Sequence, residues 1–272
     1  MSAPADSRAP PDLAHRVRAL SARGRHALAD PRTSVNLRWL RALSGASNER
    51  ILEVLEELDS IVPVQEEIHR RHVAGGRANY AQFSAPLELY SLVRLLRPQH
   101  VIETGVSSGL SSAHFLLALD KNRSGTLHSI DLPTPQKGPV LGKDESPVSI
   151  PPGLSSGWAI PFRSPRWDLR VGDAAAVLPA LLGELPSVDL FLHDDLHTPE
   201  RLTLELSLLR PKLSPGAPVL ADNTQWTGDS FEVFAKELHA KVHRRGTSDV
   251  LGLRMPSPRS RRRPSAPPPA PG

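Results

Sequence analysis

Residues 101–112 read VIETGVSSGLSS, and the fold turns on them. A short run, HVI, leads into Glu103; Gly105 and Gly109 follow four apart, and small hydroxyl residues open the apolar stretch AHFLLAL. The pattern predicts strand, tight loop, helix. Glycine at 105 and 109 lets the backbone turn sharply. It also lets a ligand approach the main-chain N–H groups that open the helix, where unpaired donors and the helix dipole favour polar or anionic groups. The spacing is G-x-x-x-G rather than the G-x-G-x-x-G of a dinucleotide fold or the G-x-x-x-x-G-K-[ST] of a phosphate loop, and no lysine follows to hold phosphates. On these residues alone, an ordinary strand-to-helix turn accounts for the loop as well as a ligand cradle does.

Outward from this stretch, the chain from His100 on alternates strand and helix patterns, which predicts a parallel sheet with crossover helices. Strands are expected at 101–103, 126–130, 169–171, 188–192 and 218–221, and helices at 111–119, 174–182 and 198–209. Upstream, Ser47 stands as a capping candidate before an apolar stripe at helical spacing, Ile51, Leu52, Leu55, Leu58 and Val62. The polar, glycine-containing residues 69–84 predict a loop, and Pro86 then starts a helix that Pro98 stops. The expected organisation is a loosely ordered segment at 1–30, a helical region at 31–98, an α/β domain at 99–253 and a disordered Arg/Pro-rich tail at 254–272.

At 272 residues the chain has room for one large α/β domain with a substantial core. Cysteine is absent, which excludes a disulfide framework and any thiolate metal site. No apolar run approaches the roughly 20 residues of a membrane span, and residues 1–16 lack the apolar centre of a signal peptide, so a cytoplasmic protein is expected. The net charge of +4 belongs to the tail: five arginines and no acid lie from Arg254 onward, which leaves the remainder near neutral. A solvated tail needs no nucleic-acid partner, and aromatic content of 4% gives little surface for stacking bases, so nucleic acid is not expected.

In an open parallel sheet the ligand lies beyond the carboxyl ends of the strands. The residues there are Glu103, Asp131, Gly172 with Asp173, the run His193 to His197, and Asp222 with Asn223. Each strand end carries an acid. Any one of them explains itself as a helix cap or a solvated group; the set points to a site.

At these strand ends, over residues 82–240, the chain resembles the class I S-adenosylmethionine-dependent methyltransferases. Within them it is similar to a bacterial methyltransferase 24-like group, through GWAIPFRSPRW, VGDAAAVLPALL, DLFLHDDLHTPERLTLEL and LLRPKLSPGAPVLADN. The resemblance implies a Rossmann-like doubly wound α/β sheet of about seven strands, mostly parallel with one antiparallel edge strand. It implies that Glu103, Gly105, Ser107, Gly109 and Ser111 surround the methionine part of S-adenosylmethionine. Asp131 would bind the ribose hydroxyls, Gly172 and Asp173 would lie near the adenine, and Asp194 would also border the cofactor. A carboxylate suits a diol, and an acid suits the cofactor's ammonium and sulfonium. Trp158 and Trp167 mark a long proline-rich insertion at 132–166, expected to shape the acceptor pocket.

The chain is also similar to metal-dependent catechol- and caffeoyl-CoA-type O-methyltransferases. That likeness places Asp194, Asp222 and Asn223 on metal-ligand positions and His197 where that family has a lysine. Three oxygen donors without sulfur suit Mg²⁺, and His197 is then a base able to take a proton near neutral pH. The run HDDLHT departs from the metal family's pattern, so Mg²⁺ stays open as a second cofactor, and Asp195 could stand in for Asp194. His193 is expected to be packed or hydrogen-bonded rather than a ligand. The resemblance implies methyl transfer to a hydroxyl of a small molecule, with Asp194 and His197 as catalytic residues. A non-catalytic member of the same fold and a methyltransferase of RNA or protein are the alternatives; a homodimer also stays open.

Overall fold

The computed structural model describes residues 35–74, 85–132, 150 and 153–257. The segment 1–30, most of the Arg/Pro-rich tail and residues 133–149 of the insertion lie outside the described residues.

Among the described residues four α-helices precede the sheet: α1 (Leu37–Ser44), α2 (Asn48–Glu56), α3 (Val62–Ala74) and α4 (Pro86–Leu96). Ser47 does cap α2, accepting from the Arg50 N–H. The stripe that follows is not one helix: a 3₁₀ turn at Glu57–Ser60 separates α2 from α3. Pro63 gives the reason, because its ring is tolerated in the first turn of a helix but not within one. The expected loop at 69–84 begins later than its polarity suggested, since α3 continues to Ala74. Glu67 pairs with both Arg70 and Arg71, three and four residues on, and supports that last stretch.

Seven strands form one sheet: β1 (His100–Thr104), β2 (Thr126–Asp131), β3 (Trp167–Val171), β4 (Leu190–His193), β5 (Pro218–Ala221), β6 (Val242–Arg244) and β7 (Leu251–Arg254). Their order is β3-β2-β1-β4-β5-β7-β6. The first five are parallel, and β7 runs against both β5 and β6, so the antiparallel character sits in an edge pair whose reversed member is one place in from the rim. Arg254 closes β7 opposite Pro218, inside the sheet rather than at the head of the tail. Helices α5 (Leu110–Asn122), α6 (Ala174–Glu184), α7 (Pro199–Leu209) and α8 (Ser230–Glu237) complete the domain.

Alternation along the strands divides the core. On β4 and β5, Leu190, Leu192 and Leu220 face α1, α2, α4 and α5, whereas Phe191, Val219 and Ala221 face α6, α7 and α8. These side chains are fully buried, and each leucine, valine and phenylalanine among them is worth roughly 2 kcal/mol in apolar transfer. Strand order reverses between β1 and β4, the place where an open sheet leaves a crevice. The register puts Thr104 beside Ile130 and His193, and His193 beside Ala221, so the residues that follow these strands emerge along one rim.

Candidate active site

The loop after β1 rises to the rim through Gly105, whose φ of 85° is left-handed. A Cβ there would lie 1.8 Å from the Asp194 carbonyl oxygen, so only glycine lets the ends of β1 and β4 touch. The Asp194 N–H donates to the Thr104 carbonyl at 2.9 Å and locks the contact. Gly109, with φ 88°, faces the insertion instead, where a Cβ would press on Ile160 and Gly157. The carbonyl of Ser107 accepts from the Gly157 N–H at 2.8 Å.

Glu103 and Ser111 support this loop from within the core. Glu103 is fully buried and accepts hydroxyl hydrogen bonds from Ser111 (2.5 Å), Ser112 (2.6 Å) and Ser129 (2.8 Å). Burial pushes its carboxyl up to about 7 against the opposing pull of those hydroxyls. The structure thus gives Glu103 a bracing position under the loop, with its oxygens already engaged.

Asp131 ends β2 and faces the loop: one oxygen accepts from the Val106 N–H at 3.1 Å and the other from the Ser156 hydroxyl. Leu132 and Val171, at the ends of β2 and β3, are exposed beside it. Gly172 donates its N–H to the Asp131 carbonyl at 2.9 Å. Asp173 is a helix cap: its carboxylate accepts from the Ala175 N–H and pairs with Arg201 at 2.7 Å. That guanidinium, then the cap, lowers its pKa.

At the other half of the rim, His197 lies with Nε2 3.5 Å from Asp194 Oδ1 and 3.5 Å from the Asn223 amide nitrogen. Trp226 flanks the imidazole at 5.8 Å between ring centroids. Asp222 is buried nearby, and burial first, the Asp194 charge second, hold its carboxyl well above the ordinary range. Asp195 turns away towards Arg201, 3.9 Å distant, which leaves Asp194 as the acid facing His197. His193 is hydrogen-bonded as expected: its Nδ1 meets Glu205 Oε2 at 2.8 Å, and both side chains are fully buried.

Asp194, His197, Asp222 and Asn223 therefore come together, and the loop at 105–109 adjoins Asp131. Asp173 is drawn off to Arg201. Sequence reasoning missed Glu205, Ser129 and Ser156. Only Glu205 left a signal: with Leu202, Leu206 and Leu209 it occupies the buried stripe of α7.

Residues 102–224 match the family model described as a methyltransferase domain. The matched stretch runs from β1 to just past β5 and so holds the rim with Glu103, Asp131, Asp194 and Asp222, which supports an S-adenosylmethionine-dependent methyltransferase. No curated protein matches the chain in sequence. Among solved structures, a Staphylococcus aureus protein provisionally named a caffeoyl-CoA O-methyltransferase is similar at 13% identity over 76% of this chain and 100% of its own, with a TM-score of 0.51. The SAH-bound Podospora anserina methyltransferase is similar at 14% identity over 93% of this chain and 100% of its own, with a TM-score of 0.47. The O-methyltransferase of tomaymycin synthesis from Streptomyces achromogenes is similar at 19% identity over 71% of this chain and 89% of its own, with a TM-score of 0.44. At such identities the Staphylococcus aureus likeness bears on the fold alone. Among the described residues no helix is long and apolar enough to cross a membrane.

Proposed function

We propose that the protein transfers the methyl group of S-adenosylmethionine to a hydroxyl oxygen of a small molecule. One observation carries this reading: the glycine turn at 105 and the acid–imidazole group at 194–197 are in main-chain contact, so a donor held at the first adjoins a base held at the second. When bound, S-adenosylmethionine supplies an electrophilic methyl on a sulfonium. The residues at the rim fit it. Asp131 offers carboxylate oxygens to a diol, and exposed Leu132 and Val171 offer an apolar shelf to a flat base. That shelf, rather than the engaged Asp173, is the part assigned to the adenine.

His197 takes the acceptor's proton at Nε2, with Asp194 favouring the imidazolium that results. Asn223 lies against the same nitrogen, and Trp226 gives the acceptor an apolar wall. The protein's task is to align acceptor and donor and exclude water around them.

Asp194, Asp222 and Asn223 carry oxygen donors of the kind a hard divalent cation takes. Asp194 and Asp222 crowd each other, which a cation would relieve, yet among the described residues no three His, Asp or Glu side chains gather to hold one. Asn223 turns its amide nitrogen towards His197. Asp194, Asp222 and Asn223 as arranged do not fit a resident Mg²⁺.

Calorimetric titration with S-adenosylmethionine, with and without chelator and beside NAD, tests the reading. Saturable binding of S-adenosylmethionine alone is expected. Asp131→Ala should weaken it about 30-fold, the loss of charge-assisted hydrogen bonds to the ribose. His197→Ala should bind within about twofold of the parent and slow transfer to a hydroxylated acceptor by about 100-fold or more. Equal affinity in Asp131→Ala and the parent would sink the ribose assignment, and no binding by the parent would sink the whole reading.

A further inference from the structure

Asp131, the carboxylate assigned to the ribose, is already in use. Its side chain is 8% exposed, and the hydroxyl that covers it belongs to Ser156, itself 6% exposed, from the far end of the insertion. We infer that residues 153–160 form a strap over the cofactor site, and that Ser156 competes with a ribose hydroxyl for the same oxygen of Asp131. This rests on the ribose assignment of Asp131.

The strap has a fixed half and a free half. Residues 157–160 are pinned to the domain: the Gly157 N–H donates to the Ser107 carbonyl at 2.8 Å and the Ala159 N–H to the Ser108 carbonyl at 3.0 Å. The Arg71 guanidinium on α3 donates to the Ile160 carbonyl at 2.9 Å, and the Trp158 ring packs 5.2 Å from His72. Residues 153–155, in contrast, are exposed, including Leu154 at 48%. Between the halves stands Gly157 with φ 76°, packed so tightly on Trp167 that a Cβ would fall 2.3 Å from the indole. At the outer end, Gly153 with φ 78° has nothing within 4 Å of where a Cβ would be.

Two glycines in left-handed geometry, one anchored and one open, let 153–156 swing while 157–160 stay in place. The swing uncovers little apolar surface, because the residues that move are already exposed except for Ser156. Its main cost is the hydroxyl–carboxylate bond. An incoming diol replaces that bond in kind, donating a hydroxyl proton to the oxygen that Ser156 leaves. Val106 keeps its hold on the other oxygen, so Asp131 remains aimed while it changes partners.

The apparent affinity for S-adenosylmethionine is then the intrinsic affinity reduced by the fraction of molecules with the strap open. Ser156→Ala removes the competing donor and should tighten binding about fivefold, mainly by faster association in stopped-flow tryptophan fluorescence, with dissociation little changed. Ser156→Thr keeps a hydroxyl and should return the parent's affinity. Weaker or unchanged binding in Ser156→Ala, with circular dichroism like the parent's, overturns the strap and makes Ser156 a support for Asp131. Retained affinity in Asp131→Ala removes the ribose assignment, and the inference with it, whatever Ser156→Ala does. Absence of binding by the parent and both Ser156 variants removes the functional reading itself.

Discussion

Two carboxylates lie wholly buried beneath the rim, one on each face of the sheet, and they are satisfied in different ways. Glu103, on β1, is met by three serine hydroxyls that between them engage both of its oxygens. Glu205, on α7, places a single oxygen against the Thr104 hydroxyl at 2.9 Å and the His193 ring at 2.8 Å, and among the described residues its other oxygen has no partner. Hydroxyls rotate, so the cage around Glu103 can serve the acid in either protonation state. A histidine brings its own proton and a fixed direction, and Nε2 of His193 is likewise unpartnered among the described residues. The first arrangement braces a loop; the second fixes the orientation of a ring whose edge meets His197 at 5.8 Å. Burial alone therefore does not tell what an acid does. The number and kind of its donors do.

The largest effect is expected where least is redundant. Glu205→Ala strands the Thr104 hydroxyl and the His193 Nδ1 proton in a dry face and should cost about 3 kcal/mol in urea unfolding. A loss below about 1 kcal/mol would mean that other groups or water already serve those donors. Glu103→Gln should act differently, through pH. Because burial holds the native Glu103 at about 7, the folded protein binds a proton that the unfolded chain releases in the ordinary carboxylate range. Stability from this group is greatest below that range and falls as pH rises to about 7. Glutamine cannot ionise, so the fall should flatten, by about 2 kcal/mol in unfolding free energy between pH 4.5 and 7.5. An unchanged slope would show that Glu103 is ionised throughout.

The same pair shows what the sequence could and could not disclose. Glu103 was legible because it follows an apolar run and precedes two glycines, so its place at a strand end could be inferred locally. The acid at the end of each of the five parallel strands was legible for that reason, as was their common rim. Glu205 sits mid-helix among leucines, and its meaning depends on Thr104 and His193, 101 and 12 residues away. Ser156 and Asp131 meet across 25 residues that carry no periodic pattern. Strands β6 and β7, three and four residues long, are too short for alternation to register. Asp173 was legible at its strand end in the same local way, whereas its ion pair with Arg201, from the next crossover helix, was not.

The finest test of the comparison is Ser112→Ala, which removes one donor of the three. Glu103 Oε2 would keep Ser129, itself held by the Trp167 indole N–H at 2.9 Å, and Oε1 would keep Ser111. Ser112 favours the ionised acid, so its loss should raise the Glu103 pKa further. The cost should then depend on charge. Above the native pKa the ionised acid loses a charge-assisted bond, worth about 1 kcal/mol; near pH 5 the acid is already neutral in the folded protein, and the cost should shrink to a few tenths of that. Unfolding measured at pH 8.5 and pH 5 separates the two cases. Equal losses at both would mean that Ser112 matters for packing alone. A larger loss at high pH would establish that the hydroxyls hold a titrating carboxylate, and that the two faces of the rim differ in how they manage its proton.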